Sequence, residues 1–222
     1  CKTLISMGSC ATFGGVPALA NLYTAADLLN KVECDSVSTD PDGKPKVDIP
    51  ALTDLVYAVS EVVPVDVFLP GCPTTPEMVA SALTALLEGK PFTLPTKSVC
   101  DECPTKREKK ATATLKRRFE APEFTPGRPL SEMRCLMEQG FLCVGPATRG
   151  GCGGSDGIPR CIRAYMPCEG CFGPLTEKAN PMVDMMGAHS TIGLDPKQVP
   201  DRAATFNRFS GAGGRLRPLP KR

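Results

Sequence analysis

The chain lacks tryptophan, has a single histidine, and contains few aromatic residues, which make up only 5% of its 222 residues. Because 41% of the residues are hydrophobic, a core is possible, but it must be mainly aliphatic. No apolar run approaches the ~18 residues that a membrane-spanning helix requires. No signal peptide is visible in the sequence as written. The length allows one large domain or two small ones.

The overall charge is nearly balanced, with 26 basic and 24 acidic residues, and it points to no particular partner. The two halves differ more. Residues 1–95 carry 5 basic and 11 acidic residues, whereas residues 96–222 carry 21 and 13. A basic half is typical of proteins that bind nucleic acid or an acidic partner. Anionic cofactors explain the excess equally well, since a four-iron cluster with four thiolates carries a charge of about −2.

The first 95 residues show a repeated order of strand, loop and helix. Residues 3–7 and 65–69 are short apolar runs that predict strands buried on both faces. Helices are expected over residues 17–31, 50–62 and 76–89, and the sequence DPDGKP predicts a turn at 40–45. This order predicts an α/β fold with a parallel sheet.

The pattern changes after about residue 96, where proline, glycine and cysteine become more frequent. Short helices are expected over residues 106–119 and 130–140, the second carrying Cys135, and the tail from Pro196 has little apolar periodicity. We therefore predict two domains, 1–95 and a loop-rich 96–222. The chain begins without methionine on a predicted buried strand, so we expect a further N-terminal portion to precede it.

The twelve cysteines require an explanation, and three explanations are open. Disulfides suit small secreted chains that lack a core. Zinc suits the two C-x-x-C pairs, which have the spacing of zinc knuckles. Iron–sulfur clusters need four thiolates that converge on a bulky core, with glycine and proline bending the chain between them. Eight cysteines follow residue 95, enough for two four-iron clusters, and this count favours the third explanation: Cys100, Cys103, Cys135, Cys143, Cys152, Cys161, Cys168 and Cys171.

Several segments resemble the small, electron-transferring subunit of [NiFe] hydrogenases. They read GSCATFGGVPALANL, LPGCPTTPE, CDECPTKRE, CLMEQGFLCVGPATRGGCG and MPCEGCFGP. The resemblance is strongest to cytoplasmic, methyl-viologen-reducing enzymes that are coupled to heterodisulfide reductase. It extends from Cys1 to about Pro174, with the motifs in the family's order.

The resemblance implies a fold and three cluster sites. The first domain would be a flavodoxin-like parallel-sheet domain whose N-terminal part is missing here. Cys10 and Cys72 would hold part of a proximal [4Fe–4S] cluster, with two further ligands upstream. A distal [4Fe–4S] cluster would be held by Cys100, Cys103, Cys135 and Cys143, and a medial one by Cys152, Cys161, Cys168 and Cys171. Periplasmic relatives have a proline near the position of Cys161 and a three-iron medial centre, so Cys161 implies a four-iron cluster here.

The implied function is electron transfer within a hydrogenase complex. Electrons from hydrogen, oxidised at a nickel–iron centre in a separate large subunit, would pass through the proximal, medial and distal clusters. They would leave to a further redox subunit, a [2Fe–2S] or flavin protein such as one belonging to heterodisulfide reductase. The resemblance implies no catalytic residue in this chain, no nucleic-acid partner, no membrane span and a cytoplasmic location. The alternatives are a free-standing, ferredoxin-like multi-cluster carrier and a structural zinc protein.

Four features fall outside the ligand sets. Cys1 and Cys34 match no ligand position, and each is expected to be a small buried hydrophobic residue. His189 is expected to have an ordinary structural use rather than to carry protons. The run KREKK at 106–110 is either a solvated helix face or a docking site for an acidic electron-transfer partner.

Overall fold

A short parallel sheet organises the N-terminal region of the chain. The structure is a computed structural model that describes residues 1–39, 48–112 and 114–218, so the turn predicted at 40–45 lies outside the described residues. Strand β1 spans Ile5–Met7 and strand β2 spans Val67–Leu69, and the two pair in parallel. Both predicted strands are therefore confirmed in shorter form. The architecture is mixed α/β, and a flavodoxin-like sheet remains a prediction.

The described residues contain seven α-helices, most of them a single turn. They are α1 (Ser9–Phe13), α2 (Ala25–Leu29), α3 (Pro76–Leu87), α4 (Val99–Glu102), α5 (Arg160–Arg163), α6 (Pro181–Thr191) and α7 (Arg202–Phe206). Helix α3 confirms its prediction: Pro76 occupies the first helical position, and the Thr75 hydroxyl accepts a hydrogen bond from Met78 N at 3.2 Å. A threonine cap followed by proline is a standard helix start.

The single helix predicted over residues 17–31 is wrong, because the segment divides into three pieces. A 3₁₀ helix spans Val16–Leu22, α2 follows, and a π-helical turn spans Asn30–Cys34. Thr24 is extended, and its hydroxyl accepts from Asp27 N at 3.1 Å. This cap starts a new helix and so interrupts the predicted one.

The helix predicted over residues 50–62 is also wrong. Only Val59–Glu61 forms a helical turn, of the 3₁₀ type. The Asn21 side chain donates to Val56 O at 3.0 Å and accepts from Val56 N at 2.7 Å. Because a side chain 35 positions away satisfies both backbone groups of Val56, helical hydrogen bonds are not needed there.

The helices predicted over 106–119 and 130–140 are wrong for the same kind of reason. Among residues 106–112 and 114–119 no helix is present, and Leu130–Glu132 is a single 3₁₀ turn. Lys106 N donates to Met133 O, and Cys135 N donates back to Lys106 O, both at 2.8 Å. The two segments thus bond to each other, and Cys135 lies outside any helix.

The main hydrophobic core crosses the predicted domain boundary near residue 95, which itself stays a prediction. Its buried members come from both sides and from the C-terminal tail: Leu69, Met78, Val99, Phe172, Met185 and Phe206. The tail therefore packs into the fold despite its weak periodicity. No helix among the described residues is long and apolar enough to cross a membrane.

Candidate functional site

Cys10 and Cys72, called here the N-terminal pair, follow the two parallel strands. Strand β1 leads into α1 with Cys10, and β2 leads into the loop with Cys72. The loops are joined by Ser9, whose hydroxyl accepts from Gly71 N at 3.0 Å while Ser9 N donates to Gly71 O at 2.9 Å. Both thiols are exposed. The pair therefore lies at the carboxyl ends of the strands, where parallel sheets place their binding sites.

Four cysteines line one cavity of about 620 Å³, and we call them the distal thiols: Cys100, Cys103, Cys135 and Cys143. Cys100 is positioned by the start of helix α4. There the Asp101 carboxylate accepts hydrogen bonds from Ser98 N and from the Ser98 hydroxyl, both at 2.8 Å. This reciprocal cap fixes the first turn and directs Cys100 into the cavity. All four expected members of this set are brought together.

Gly145 packs closely against two of the distal thiols. A β-carbon built on Gly145 would lie 3.1 Å from Cys100 Sγ and 3.6 Å from Cys143 Sγ. Cys100 Sγ would have to move by a few tenths of an ångström to accommodate a methyl group there, whereas the distance to Cys143 Sγ is an ordinary van der Waals contact. Gly145 also brings its backbone N–H to Cys143, and this hydrogen bond counteracts the effect of burial on the pKa of that thiol.

Burial favours the protonated form of three of the distal thiols in the absence of a cation. It raises the pKa of Cys100 to about 12, with nearby Arg107 acting in the opposite direction. It also raises the pKa values of Cys135 and Cys143. Buried thiols become thiolates when a metal centre supplies positive charge, and the protons are then released. The cavity is therefore chemically suited to a cationic metal core.

A second group of four cysteines lies on the two glycine-rich loops and helix α5, and we call them the medial thiols: Cys152, Cys161, Cys168 and Cys171. Burial raises the pKa of Cys171 to about 12. A hydrogen bond from the backbone of Cys72 lowers this pKa, whereas the charges of Cys161, Cys152 and Cys72 raise it further. Burial also raises the pKa of Cys168, and the charges of the neighbouring thiols Cys143 and Cys161 raise it further. The four medial residues are thus close enough to interact electrostatically.

Backbone hydrogen bonds connect the three groups of cysteines. Cys168 N, from the medial thiols, donates to Cys143 Sγ of the distal thiols at 3.3 Å. On the other side, the hydroxyl of Ser9, which precedes Cys10, donates to the backbone carbonyl of Cys171. The medial thiols are therefore in contact with both other groups.

The donor set fits iron–sulfur clusters. All twelve cysteines lie among the described residues, and each carries a free thiol. Within residues 1–39, 48–112 and 114–218, no three or more Cys, His, Asp or Glu side chains are grouped so as to hold a metal ion. The distal thiols instead surround a cavity, which suits the bulky core of a cubane bound by four thiolates.

The remaining predicted residues lie elsewhere. Cys1 is exposed and Cys34 is half-buried, so the expectation of two buried hydrophobic cysteines is wrong. His189 is fully buried on helix α6, with its ring 5.5 Å from that of Phe206 in an edge-on arrangement. This position is a packing position, as expected for a structural histidine.

Two glutamates near the cysteines were not found from the sequence. The Glu102 carboxylate accepts from Gly151 N, beside Cys152, and buried Glu138 accepts from Glu108 N and Lys109 N. Their partners lie 49 and about 30 positions away. The only local signal was their position next to or near a cysteine, which is too weak to identify such contacts.

Comparisons with known proteins show the family to which this chain belongs. Residues 1–86 match the family described as NADH ubiquinone oxidoreductase, 20 Kd subunit. The chain is 41% identical over 209 residues to the vhu G protein of the F420-non-reducing hydrogenase of Methanocaldococcus jannaschii, an alignment that covers 94% of this chain and 68% of that protein. The chain belongs to the family of F420-non-reducing hydrogenase G subunits.

Likeness to two other hydrogenase proteins covers less of the chain. The δ subunit of the NAD-reducing hydrogenase HoxS of Cupriavidus necator is 41% identical over 99 residues, which are 43% of this chain and 47% of that protein. A crystal structure of NAD⁺-reducing [NiFe]-hydrogenase in the H₂-reduced state is 35% identical, with a TM-score of 0.38 over 41% of this chain and 53% of that one. The predicted membership of the hydrogenase small-subunit family is confirmed by the G-subunit relatives.

Proposed function

We propose that this G-subunit family member is the electron-transfer small subunit of a cytoplasmic [NiFe] hydrogenase. Cys10 and Cys72, with two ligands upstream, would hold the proximal [4Fe–4S] cluster. The medial thiols and the distal thiols would each hold a complete [4Fe–4S] cluster. When bound, these clusters supply reversible one-electron transfer.

The observation that supports this proposal most strongly is the contact order of the three groups of cysteines. The loop of Cys171 is hydrogen-bonded to Ser9 beside Cys10, and the backbone N–H of Cys168 is hydrogen-bonded to Cys143 Sγ at 3.3 Å. A relay needs its middle site in contact with the sites at both ends, and these hydrogen bonds support a middle position for the medial thiols.

The chain's own residues hold, insulate and tune the three sites. Backbone N–H groups directed at cysteine sulfur, such as that of Cys168 toward Cys143, stabilise the thiolate and favour the more negatively charged, reduced state. Buried apolar residues of the core, including Val99 and Phe172, exclude water around the medial and distal thiols. The chemistry of hydrogen itself belongs to a separate nickel–iron subunit in this proposal.

The proposed partners lie at opposite ends of the relay. The large catalytic subunit would contact the region of the exposed N-terminal pair. A further electron-transfer subunit, a [2Fe–2S] or flavin protein such as one of heterodisulfide reductase, would face the distal cavity.

The test is anaerobic purification of the native complex, followed by exposure to hydrogen and EPR spectroscopy. The proposal predicts that a nickel-containing subunit co-purifies with this chain and that hydrogen alone produces reduced [4Fe–4S] signals. A brown protein that elutes alone and is reduced by dithionite but not by hydrogen would support the ferredoxin-like carrier instead. A colourless, zinc-containing protein would identify the structural zinc alternative.

A further inference from the structure

Residues 106–110, called here the basic loop, form an ordered and non-helical surface segment. The helix-face explanation of the run KREKK is wrong, since no helix includes these residues. The loop is held at its start by Lys106, which bonds Met133 O and Cys135 N through its backbone at 2.8 Å each. At its end, the Arg134 guanidinium donates to Lys110 O at 2.6 Å. The loop is therefore fixed beside Cys135.

A buried carboxylate determines the conformation of the basic loop. Glu138 is only 3% exposed, and it accepts hydrogen bonds from Glu108 N and Lys109 N, both at 2.7 Å. Lys109 has φ 59°, a left-handed conformation that is uncommon for residues other than glycine. Backbone strain of this kind persists where the surroundings enforce it, and it is concentrated at functional sites. Here it orients a lysine at the mouth of a cavity.

The side chains of the basic loop form a cationic rim. All five are exposed, and four of them are lysine or arginine. The single acid, Glu108, is neutralised by Lys106 at 3.4 Å and by Arg134 at 3.2 Å. Arg107 and Lys109 line the cavity of the distal thiols directly. Two acids also line this cavity, namely Asp101, which is hydrogen-bonded to Ser98, and buried Glu138, which binds the backbone of the basic loop. The four exposed cations of the basic loop outnumber these acids, so this side of the cavity rim carries a net positive charge.

We propose that the basic loop is the docking surface for an acidic face of a one-electron carrier protein. The inference rests on the proposed function, because it assumes that the distal thiols hold a cluster that exchanges electrons. In each encounter one electron moves between this chain and the carrier, so that one is oxidised and the other reduced by one electron, with no bond formed or broken. A cationic rim accelerates the encounter with an anionic surface and sets its orientation.

The test uses an acidic plant-type [2Fe–2S] ferredoxin as the probe. Stopped-flow mixing of reduced ferredoxin with the oxidised complex of this chain and the large subunit, in which no further subunit covers the distal cavity, reports the rate of electron entry. Reduced methyl viologen, a small cation, serves as the comparison donor. The variant is Lys106→Glu with Lys110→Glu, whose side chains do not line the cavity. The matched control is Lys31→Glu with Lys90→Glu, which makes the same charge change on exposed lysines of the N-terminal region.

We expect the ferredoxin rate of the loop variant to fall by about tenfold or more at low ionic strength. The wild-type and variant rates should converge near 1 M salt, where the screening length is about 3 Å. The methyl viologen rate and the control variant should stay within about twofold of wild type, since neither depends on a docked anionic surface.

Three results would overturn the proposal. They are an unchanged rate with ferredoxin in the loop variant, an equal loss of that rate in the control variant, and a parallel loss of the rate with methyl viologen. The last of these results would indicate damage to the relay. Loss of retention on immobilised duplex DNA with an unchanged ferredoxin rate would instead identify a nucleic-acid surface. Because the reductants are added directly, the assay does not need hydrogen, so a failure of the hydrogenase proposal leaves this result interpretable.

Discussion

The Glu102 carboxylate accepts hydrogen bonds from Gly151 N with both oxygens, at 2.8 and 3.0 Å. Glu102 ends helix α4, between the distal thiols Cys100 and Cys103, whereas Gly151 precedes the medial thiol Cys152. A single side chain therefore joins the loops that carry the two sets. A β-carbon on Gly150 would lie 2.6 Å from the same carboxylate, which shows how closely the loop packs against it.

Two substitutions of Glu102 should distinguish the effect of its charge from the effect of its hydrogen bonds. The pKa of Cys152 is raised by burial first and, among smaller causes, by the charge of Glu102. Glu102→Gln keeps an oxygen acceptor but removes the negative charge, so the medial cluster should be reduced at a higher potential. Glu102→Ala also leaves Gly151 N–H without a partner, which should cost about 1–3 kcal/mol of stability. Redox titration followed by EPR measures the potential of the medial cluster, and thermal unfolding measures the loss of stability in the alanine variant. If the two variants had the same potential and the same stability, the role assigned to Glu102 would be refuted.

Replacement of Cys161 should convert the medial cluster to a three-iron centre. Cys161 is the second residue of helix α5, where proline is tolerated because the backbone N–H has no helical partner. Cys161→Pro and Cys161→Ala should each lower the iron content by about one atom and give an oxidised three-iron EPR signal. Cys34→Ala, at a half-buried cysteine outside the ligand sets, is the control. An unchanged iron content in the Cys161 variants would show that the medial assignment is incorrect.

Gly145→Ala should selectively weaken the distal cluster. The added methyl group would lie 3.1 Å from Cys100 Sγ, so the thiol geometry must change. We expect faster loss of one cluster in air, measured by the decay of visible absorbance. Gly187→Ala is the matched control, because Gly187 lies in α6 with no atom within 4 Å of a built β-carbon. That change should stabilise the helix by about 0.5–1 kcal/mol, and equal lability of the two variants would contradict the role given to Gly145.

His189 should make the stability of the protein depend on pH. Its ring is fully buried, and neither nitrogen has a hydrogen-bond partner among the described residues. Burial lowers its pKa below the ordinary value of 6.5. Protonation therefore favours the unfolded chain, so stability is retained above about pH 6.5 and lost below it, by up to ~1.4 kcal/mol per pH unit.

The variant His189→Leu should remove this contribution. Its unfolding midpoint, measured anaerobically between pH 8 and 5.5, should fall less steeply than that of the wild type as the pH decreases. Since other groups titrate in the same range, the decisive quantity is the difference between the two proteins. A constant difference across the range would show that His189 does not titrate on unfolding.

The elements that were predictable from sequence are those determined by local signals. The Thr75–Pro76 cap and the apolar positions that follow it were sufficient to identify helix α3, and two apolar runs identified the strands. The predicted helices that failed are those whose backbone is bonded by distant residues, such as Val56 by Asn21. Periodicity carries no information about such partners.

The candidate site likewise has features that the sequence indicated and features that depend on tertiary structure. The family resemblance implied which thiols belong to each set, and the distal set does line one cavity. The contacts between sets, including Cys168 N to Cys143 Sγ, depend on how loops 25 positions apart pack together. The anchoring of the basic loop by Glu138 is likewise a product of tertiary structure.

The most direct test of the electron relay is the iron, sulfide, zinc and nickel content of the anaerobically purified native complex, with its subunits resolved. We predict about twelve iron atoms and as many sulfides in this subunit, four for each cluster, and nickel in its partner. About eight iron atoms without a nickel partner would contradict the hydrogenase role, and zinc without sulfide would contradict electron transfer altogether.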